Sequence, residues 1–329
     1  MKAIALVSAG LLLLGSLAHG SPQIPGKPIH PVCTYSIIAY DSATGQFGAA
    51  VQSHYFKVAD VIWAEPGVGA VATQSLVDFA YGPLGLAMLR NGKSAQQALS
   101  GLLASDSSNA VRQVAMIDRN GSVATHTGGK CIPEAGHHNG RFYSCQANLM
   151  RNNTVWDAMA RAFENATGEL ADRLMAALDA AQKEGGDIRG MQSAAILVVT
   201  GKPTGQVWRD RLVDLRVDDS PQPLVELHRL LDISKAYKHS DKGDDFVTAG
   251  KMQEAEIEYA EAARLAPDNV ELKFWHAASL ATNGQVEKAL PIFKEVFKAD
   301  ESWRVLVPRL VKVDLLPNDD KLIKQILAQ

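Results

Sequence analysis

Along the first half of the chain the hydrophobic pattern alternates between the short period of strands and the longer period of helices. Residues 34–41 are rich in β-branched and aromatic side chains, residues 42–46 form a turn, and residues 47–54 are a second such run, so a hairpin is expected. Residues 58–63 and the small-residue stretch 67–74 read as further strands. Tyr81–Arg90 then reads as a short helix stopped by Asn91-Gly92. Ser94 caps a second helix whose apolar positions are Ala98, Leu99, Leu102 and Leu103. Another hairpin is expected from residues 111–117 and 122–127, because Asn120-Gly121 between them favours a tight turn. Residues 130–140 read as a loop and 142–149 as a strand.

Helical spacing returns over 153–184. Val155, Met159 and Phe163 recur at i, i+4 and i+8, and Leu170, Leu174 and Leu178 repeat the pattern before Gly185-Gly186 closes it. Residues 191–200 and Arg211–Val217 read as strands and 224–237 as a last helix. Hairpin-linked strands call for antiparallel sheets, and each helix pair needs an apolar face to cover. The expected fold class is therefore α+β: two sheets packed together with helices outside, an αββα sandwich over residues 34–238. A flat two-layer α+β arrangement is the alternative.

Residues 240–329 change character and become helical and charge-laced. An internal repeat is visible there. Gly250-Lys251-Met252-Gln253-Glu254-Ala255 returns as Gly284-Gln285-Val286-Glu287-Lys288-Ala289, and Tyr259 meets Phe293 at the same offset of 34 residues (284 − 250). That period, with small and aromatic positions, is the tetratricopeptide signature. Two units cannot bury a solenoid core alone, so a small all-α domain leaning on the helix at 224–238 is expected.

The start of the chain reads as a secretory leader. Lys2, an apolar run over residues 3–14 and Ala18-His19-Gly20 place a cleavage site before Ser21, so 1–20 is expected to be a signal peptide and no integral membrane segment to survive its removal. The destination is then periplasmic or secreted, and oxidising. Residues 21–33, with four prolines, read as a connector or propeptide. Cys131 and Cys145 lie close enough in sequence to be expected as a disulfide, leaving Cys33 over. A net charge of −3 gives no electrostatic reason for a nucleic-acid partner.

The chain carries no phosphate loop, dinucleotide fingerprint, zinc-protease helix or nucleophile elbow. No cofactor or metal is expected. Cys131, His137, His138 and Cys145 are of zinc-ligand type, but their spacing matches no standard finger. Chemistry must come from a distributed set: Ser53, His54, His126, Asn148, Asp187 and Arg189, all at predicted strand ends or connections. Thr34 is the most informative of the candidates. A Thr opening the first strand becomes a chain end if the segment before it is cut, and its free α-amine then serves as base for its own hydroxyl. The plain alternative is a β-branched residue that starts a strand.

Dense motifs support a family resemblance over 34–238. Thr34-Tyr35-Ser36-Ile37-Ile38-Ala39, Ala50-Val51-Gln52-Ser53-His54-Tyr55-Phe56, Pro66-Gly67-Val68-Gly69-Ala70-Val71-Ala72-Thr73-Gln74, His126-Thr127-Gly128, Gly186-Asp187 and Asp210-Arg211-Leu212-Val213-Asp214-Leu215 resemble the bacterial proteins grouped as domain of unknown function 1028. That resemblance implies the N-terminal nucleophile hydrolase superfamily and its four-layer αββα sandwich. Residues 240–329 are similar to a module found behind this domain and labelled peptidoglycan-binding. In relatives where the Thr equivalent to Thr34 follows the initiator Met, removing that Met exposes it. Here some thirteen residues would remain after the leader, so a second cut is required, before Thr34 or before Cys33.

Two readings follow. One is an exported amide hydrolase acting on a small-molecule or peptide substrate, with Thr34, Ser53, His54 and Asn148 catalytic and Asp187, Arg189 and His126 binding substrate. In it, Asn148 and the Gly128-Gly129 backbone supply oxyanion donors. The other is a non-catalytic envelope protein whose repeat module binds a protein or peptidoglycan.

Overall fold

The computed structural model describes residues 31–329, so the expected leader and most of the proline-rich stretch lie outside the described residues. The strands in chain order are β1 (Pro31–Val32), β2 (Thr34–Tyr40), β3 (Phe47–Ser53), β4 (Ile62–Glu65), β5 (Gly69–Leu76), β6 (Arg112–Asp118), β7 (Val123–Thr127), β8 (Gly136–Gly140), β9 (Tyr143–Ala147), β10 (Ser193–Val199) and β11 (Arg211–Val217). The helices are α1 (Tyr81–Arg90), α2 (Ala95–Ser105), α3 (Val155–Asn165), α4 (Leu170–Lys183), α5 (Val207–Asp210), α6 (Pro223–Thr248), α7 (Met252–Leu265), α8 (Val270–Thr282), α9 (Val286–Ala299), α10 (Val307–Val311) and α11 (Asp320–Leu327).

Two antiparallel sheets organise the first two-thirds. One has the order β11-β10-β3-β2-β9-β8; in the other, β5 is flanked by β1, β4 and β6, with β7 beyond β6. Strand alternation sorts the β2 side chains. Tyr35, Ile37 and Ala39 face α3 and α4 with Met159, Phe163 and Leu174, whereas Ile38 joins Val51, Ala72 and Ile117 between the sheets. On the far side, α1 and α2 cover Val71, Val114 and Met116. The cap of α2 is a reciprocal box between Ser94 and Gln97. At Gly48 a side-chain carbon would lie 2.6 Å from Leu174 Cδ1, so glycine allows α4 to sit close on β3.

Four expectations change. Val58–Val61 is a 3₁₀ turn rather than a strand; its Val58 and Val61 are both buried, and Lys57 takes a left-handed φ of 61° to enter it. The β-branched residues there serve a buried turn. Residues 136–140, expected as loop, form edge strand β8, which pairs with β9 but has no apolar alternation to announce it. Helix α6 continues to Thr248, because Leu224, Leu227 and Leu231 pack on the six-stranded sheet's core and Ala236 and Val247 then pack beside α7. Finally, the proline-rich stretch does not end free: Pro31 and Val32 pair with Leu76 and Ser75, and Val32 and Cys33 are fully buried.

The C-terminal region is helical. Its core holds Phe274, Phe293, Val296, Phe297 and Leu310. The two repeat glycines occupy equivalent turns. Gly250 (φ 71°) bonds back to Val247 while Lys251 bonds to Phe246, and Gly284 (φ 77°) bonds back to Ala281 while Gln285 bonds to Leu280. Ala255 and Ala289 are buried, as are Tyr259 and Phe293.

Candidate active site

Thr34 is the first residue of β2 and is fully buried, with the chain continuing ahead of it into β1. Its hydroxyl donates to the Val32 carbonyl at 2.9 Å. The carbonyl just before it, that of Cys33, accepts two side-chain hydrogen bonds, from Ser53 Oγ at 2.6 Å and from the Arg189 guanidinium at 2.8 Å. Register explains the first: Ser53 ends β3 directly opposite Thr34. The second depends on Asp187, whose buried carboxylate grips Arg189 through two bonds of 3.0 and 2.7 Å and also accepts the Arg189 backbone N–H at 2.9 Å. A planar guanidinium held bidentately presents its remaining donor in a fixed direction.

Two donors, one cationic, on one peptide carbonyl polarise it and stand ready for negative charge on its oxygen. The Cys33 carbonyl is thus polarised, and the Thr34 hydroxyl next to it in the chain is a candidate nucleophile. Cys33 itself is a poor one. Burial pushes its thiol up to about 11; nearby Arg189 opposes that rise and Asp187 adds to it.

Behind Thr34 runs an uncharged polar network between the sheets. Ser36 Oγ donates to Gln74 Oε1 at 2.7 Å, and Gln74 Nε2 donates to Gln113 Oε1 at 2.7 Å and to the Thr34 carbonyl at 3.1 Å. Asn148 Nδ2 also donates to Gln113 Oε1, at 2.9 Å, and its backbone N–H donates to the Thr34 carbonyl at 3.1 Å. Gln113 Nε2 closes the group on the Ala147 carbonyl at 2.9 Å. Members of such a network hold one another in place, and orphaning one costs about 1–3 kcal/mol. Asn148, just past the end of β9, is fully buried, and its Oδ1 has no hydrogen-bond partner among the described residues. Ser75, opposite Val32 in register, has a left-handed φ of 71°, a strained conformation for a residue with a side chain.

The model of a family of unknown function, DUF1028, matches residues 34–227. The chain belongs to the DUF1028 family. A crystal structure of a DUF1028 protein from Silicibacter pomeroyi resembles it with a TM-score of 0.55 and 31% sequence identity, over 60% of this chain and 84% of that one. No curated protein matches the chain.

Within this DUF1028 chain the expected site residues separate into two groups. Thr34, Ser53, Asn148, Asp187 and Arg189 converge on the Cys33–Thr34 bond and its flanks. Asp187 and Arg189 act on each other and on that carbonyl. His54 is exposed at the rim; its backbone N–H faces Asp187 Oδ2 at 3.5 Å, and its Nδ1 lies near the open space over Gly190. His126 points elsewhere, its imidazole bonded to the Asn109 carbonyl at 2.8 Å. Of the expected oxyanion donors, Gly128 N–H bonds the Arg112 carbonyl and Asn148 Nδ2 bonds Gln113 Oε1.

The expected Cys131–Cys145 bridge does not form. Cys131 Sγ donates to the Arg112 carbonyl at 3.4 Å, Cys145 faces the opposite side of its sheet among Tyr35 and Met159, and all three cysteines are free thiols. The zinc-type set also diverges, with His137 on Thr127 and His138 on Asp157. Sequence reasoning missed Ser36, Gln74 and Gln113. Their signal was a polar residue at an inward period-2 position: Gln74 follows Ala70 and Ala72, and Gln113 precedes Ala115 and Ile117.

Proposed function

We propose that this chain is an exported amide hydrolase of the N-terminal nucleophile type, with an αββα sandwich whose Thr34 is freed by cleavage of the Cys33–Thr34 bond. The observation that carries this reading is the Cys33 carbonyl, held by Ser53 and by an Arg189 that buried Asp187 fixes. Thr34 Oγ attacks that carbon; the C–N bond breaks, and the hydroxyl proton passes to the departing amine. The ester so formed is hydrolysed by water, leaving a Cys33 carboxylate and a free Thr34 α-amine with its hydroxyl restored. In catalysis the same amine takes the Thr34 Oγ proton and the hydroxyl attacks a substrate amide.

Residues 240–329 are proposed to be a tetratricopeptide-like module that binds a peptidoglycan or envelope-protein partner; the equivalent turns at Gly250 and Gly284 support the repeat. Among the described residues no helix is long and apolar enough to cross a membrane. A second reading, a scaffold without catalysis, draws on the strand-paired burial of Val32, which keeps the segment before Thr34 in place.

Purified chain carrying residues 21–33 tests the choice. It is expected to convert on incubation to a species beginning at Thr34. Thr34→Ala should stay whole, and Thr34→Ser should convert because hydroxyl and amide both survive. Conversion of Thr34→Ala at the native rate would remove Thr34 from the chemistry.

A further inference from the structure

Residues 31–33, just ahead of Thr34, are held in place by the sheet. Pro31 and Val32 extend the five-stranded sheet as an antiparallel strand against Leu76 and Ser75. Val32 is fully buried in the inter-sheet core with Ile38, Val58, Val61 and Val77. Cys33 is fully buried as well, its carbonyl on Ser53 and Arg189. Pro31 is exposed. The chain therefore runs from solvent, past an aliphatic pocket, past a small closed pocket, to the polarised carbonyl.

Resting on the hydrolase reading, we propose that the substrate is an extended peptide that takes the place of Pro31–Cys33: it adds as a strand to β5 at Ser75–Leu76, with an aliphatic residue in the Val32 pocket and a small residue on the acyl side of the cleaved amide in the Cys33 pocket. Chemical identity supports this. Self-cleavage passes through an ester between Thr34 Oγ and the acyl group ending in Pro-Val-Cys. A peptide with that ending, attacked by free Thr34, forms the same ester, so the groups that hold one hold the other. Strand addition supplies backbone affinity while the two pockets supply selectivity. Departure of residues 31–33 would leave the β5 edge open, the apolar Val32 pocket empty and the space around Cys33 free. The left-handed Ser75 sits at this edge, with Arg112 pairing to it from the other side and donating to the Leu76 carbonyl, so the edge is held in shape without the leading strand.

The test is binding, which needs no catalysis. Thr34→Ala chain, released from a fusion partner so that it starts at residue 34, is titrated with acetyl-His-Pro-Val-Ser as the free acid. The peptide is expected to bind and to lower hydrogen exchange at Ser75 and Leu76. Acetyl-His-Pro-Val-Phe and acetyl-His-Pro-Asp-Ser should each bind at least about tenfold more weakly, since a closed pocket rejects bulk and an apolar one rejects charge. Equal affinity for the three, or no binding, overturns the proposal. A second measurement keeps the chain whole. Cys33→Phe should raise exchange at Val32 and Ser75 where Cys33→Ala does not, and unchanged protection in Cys33→Phe counts against a size-limited pocket. A mature chain beginning at Thr34 that binds none of the peptides sinks this inference alone. Peptide binding without any cleavage sinks the hydrolase reading alone.

Discussion

Between the two sheets, Ser36, Gln74, Gln113, Gln146 and Asn148 are fully buried and bonded largely to one another, and the Asp187 carboxylate beside them is buried against Arg189. In the helical region the corresponding depth is filled by Phe274, Phe293, Val296 and Phe297. There, several ion pairs lie at the surface, as in Arg264–Glu261, whose side chains are 65% and 36% exposed. The helical array rests mainly on this apolar core, and its buried Glu258 is met by His239 and Lys242. The sheet region carries buried amides and a buried ion pair, each of which needs several partners in place, and it carries them around one peptide bond. Polarity is kept there where a fold alone would favour apolar side chains.

Replacement of Arg189 gives the largest expected effect. Arg189→Ala leaves Asp187 buried and unpaired, at a cost of about 3–5 kcal/mol in chemical denaturation. Arg264→Ala in the exposed pair should cost less than about 1 kcal/mol. Similar losses for the two would erase the contrast. Next comes Ser53→Ala, which removes one donor from the Cys33 carbonyl. Cleavage before Thr34 should slow by about 10²–10³, while stability falls by only about 1 kcal/mol. A parallel fall in both would make Ser53 structural.

The smallest effect concerns pH and the helical region. His276 stacks on Tyr259 with ring centroids 3.9 Å apart, and burial pulls its imidazole down to about 4, with Glu256 opposing. A folded-state value below the unfolded 6.5 means that the unfolded chain binds the proton first. The contribution is therefore present above pH 6.5 and is lost as pH falls toward 4. Helical-region stability followed by circular dichroism should decline across that window, and His276→Gln should flatten the decline. An unchanged slope in the variant would place the titration elsewhere.

Much of the frame was legible from local pattern. The hairpin at Thr34, helix α1 and the Ser94 cap each rest on residues adjacent in sequence. Strand β8 was not, because a polar edge strand with Gly136 and Gly140 has no apolar face to alternate. The length of α6 was hidden because its apolar face turns from one core to another along its course. Of the residues around the Cys33 carbonyl, Thr34 and Ser53 were readable as polar residues at strand ends, and Asp187 and Arg189 as polar residues in the connection ahead of a strand. That Ser53 and Arg189 meet on a backbone carbonyl was not, since a carbonyl has no letter in the sequence and Arg189 reaches it across 156 residues.

The first residue of the mature chain tests the central claim most directly. N-terminal sequencing of protein isolated from the cell envelope is expected to give Thr34, with Thr34→Ala beginning upstream in the proline-rich stretch. A catalytically active chain that still carries residues 21–33 would contradict the account, because an amide nitrogen at Thr34 cannot act as the base.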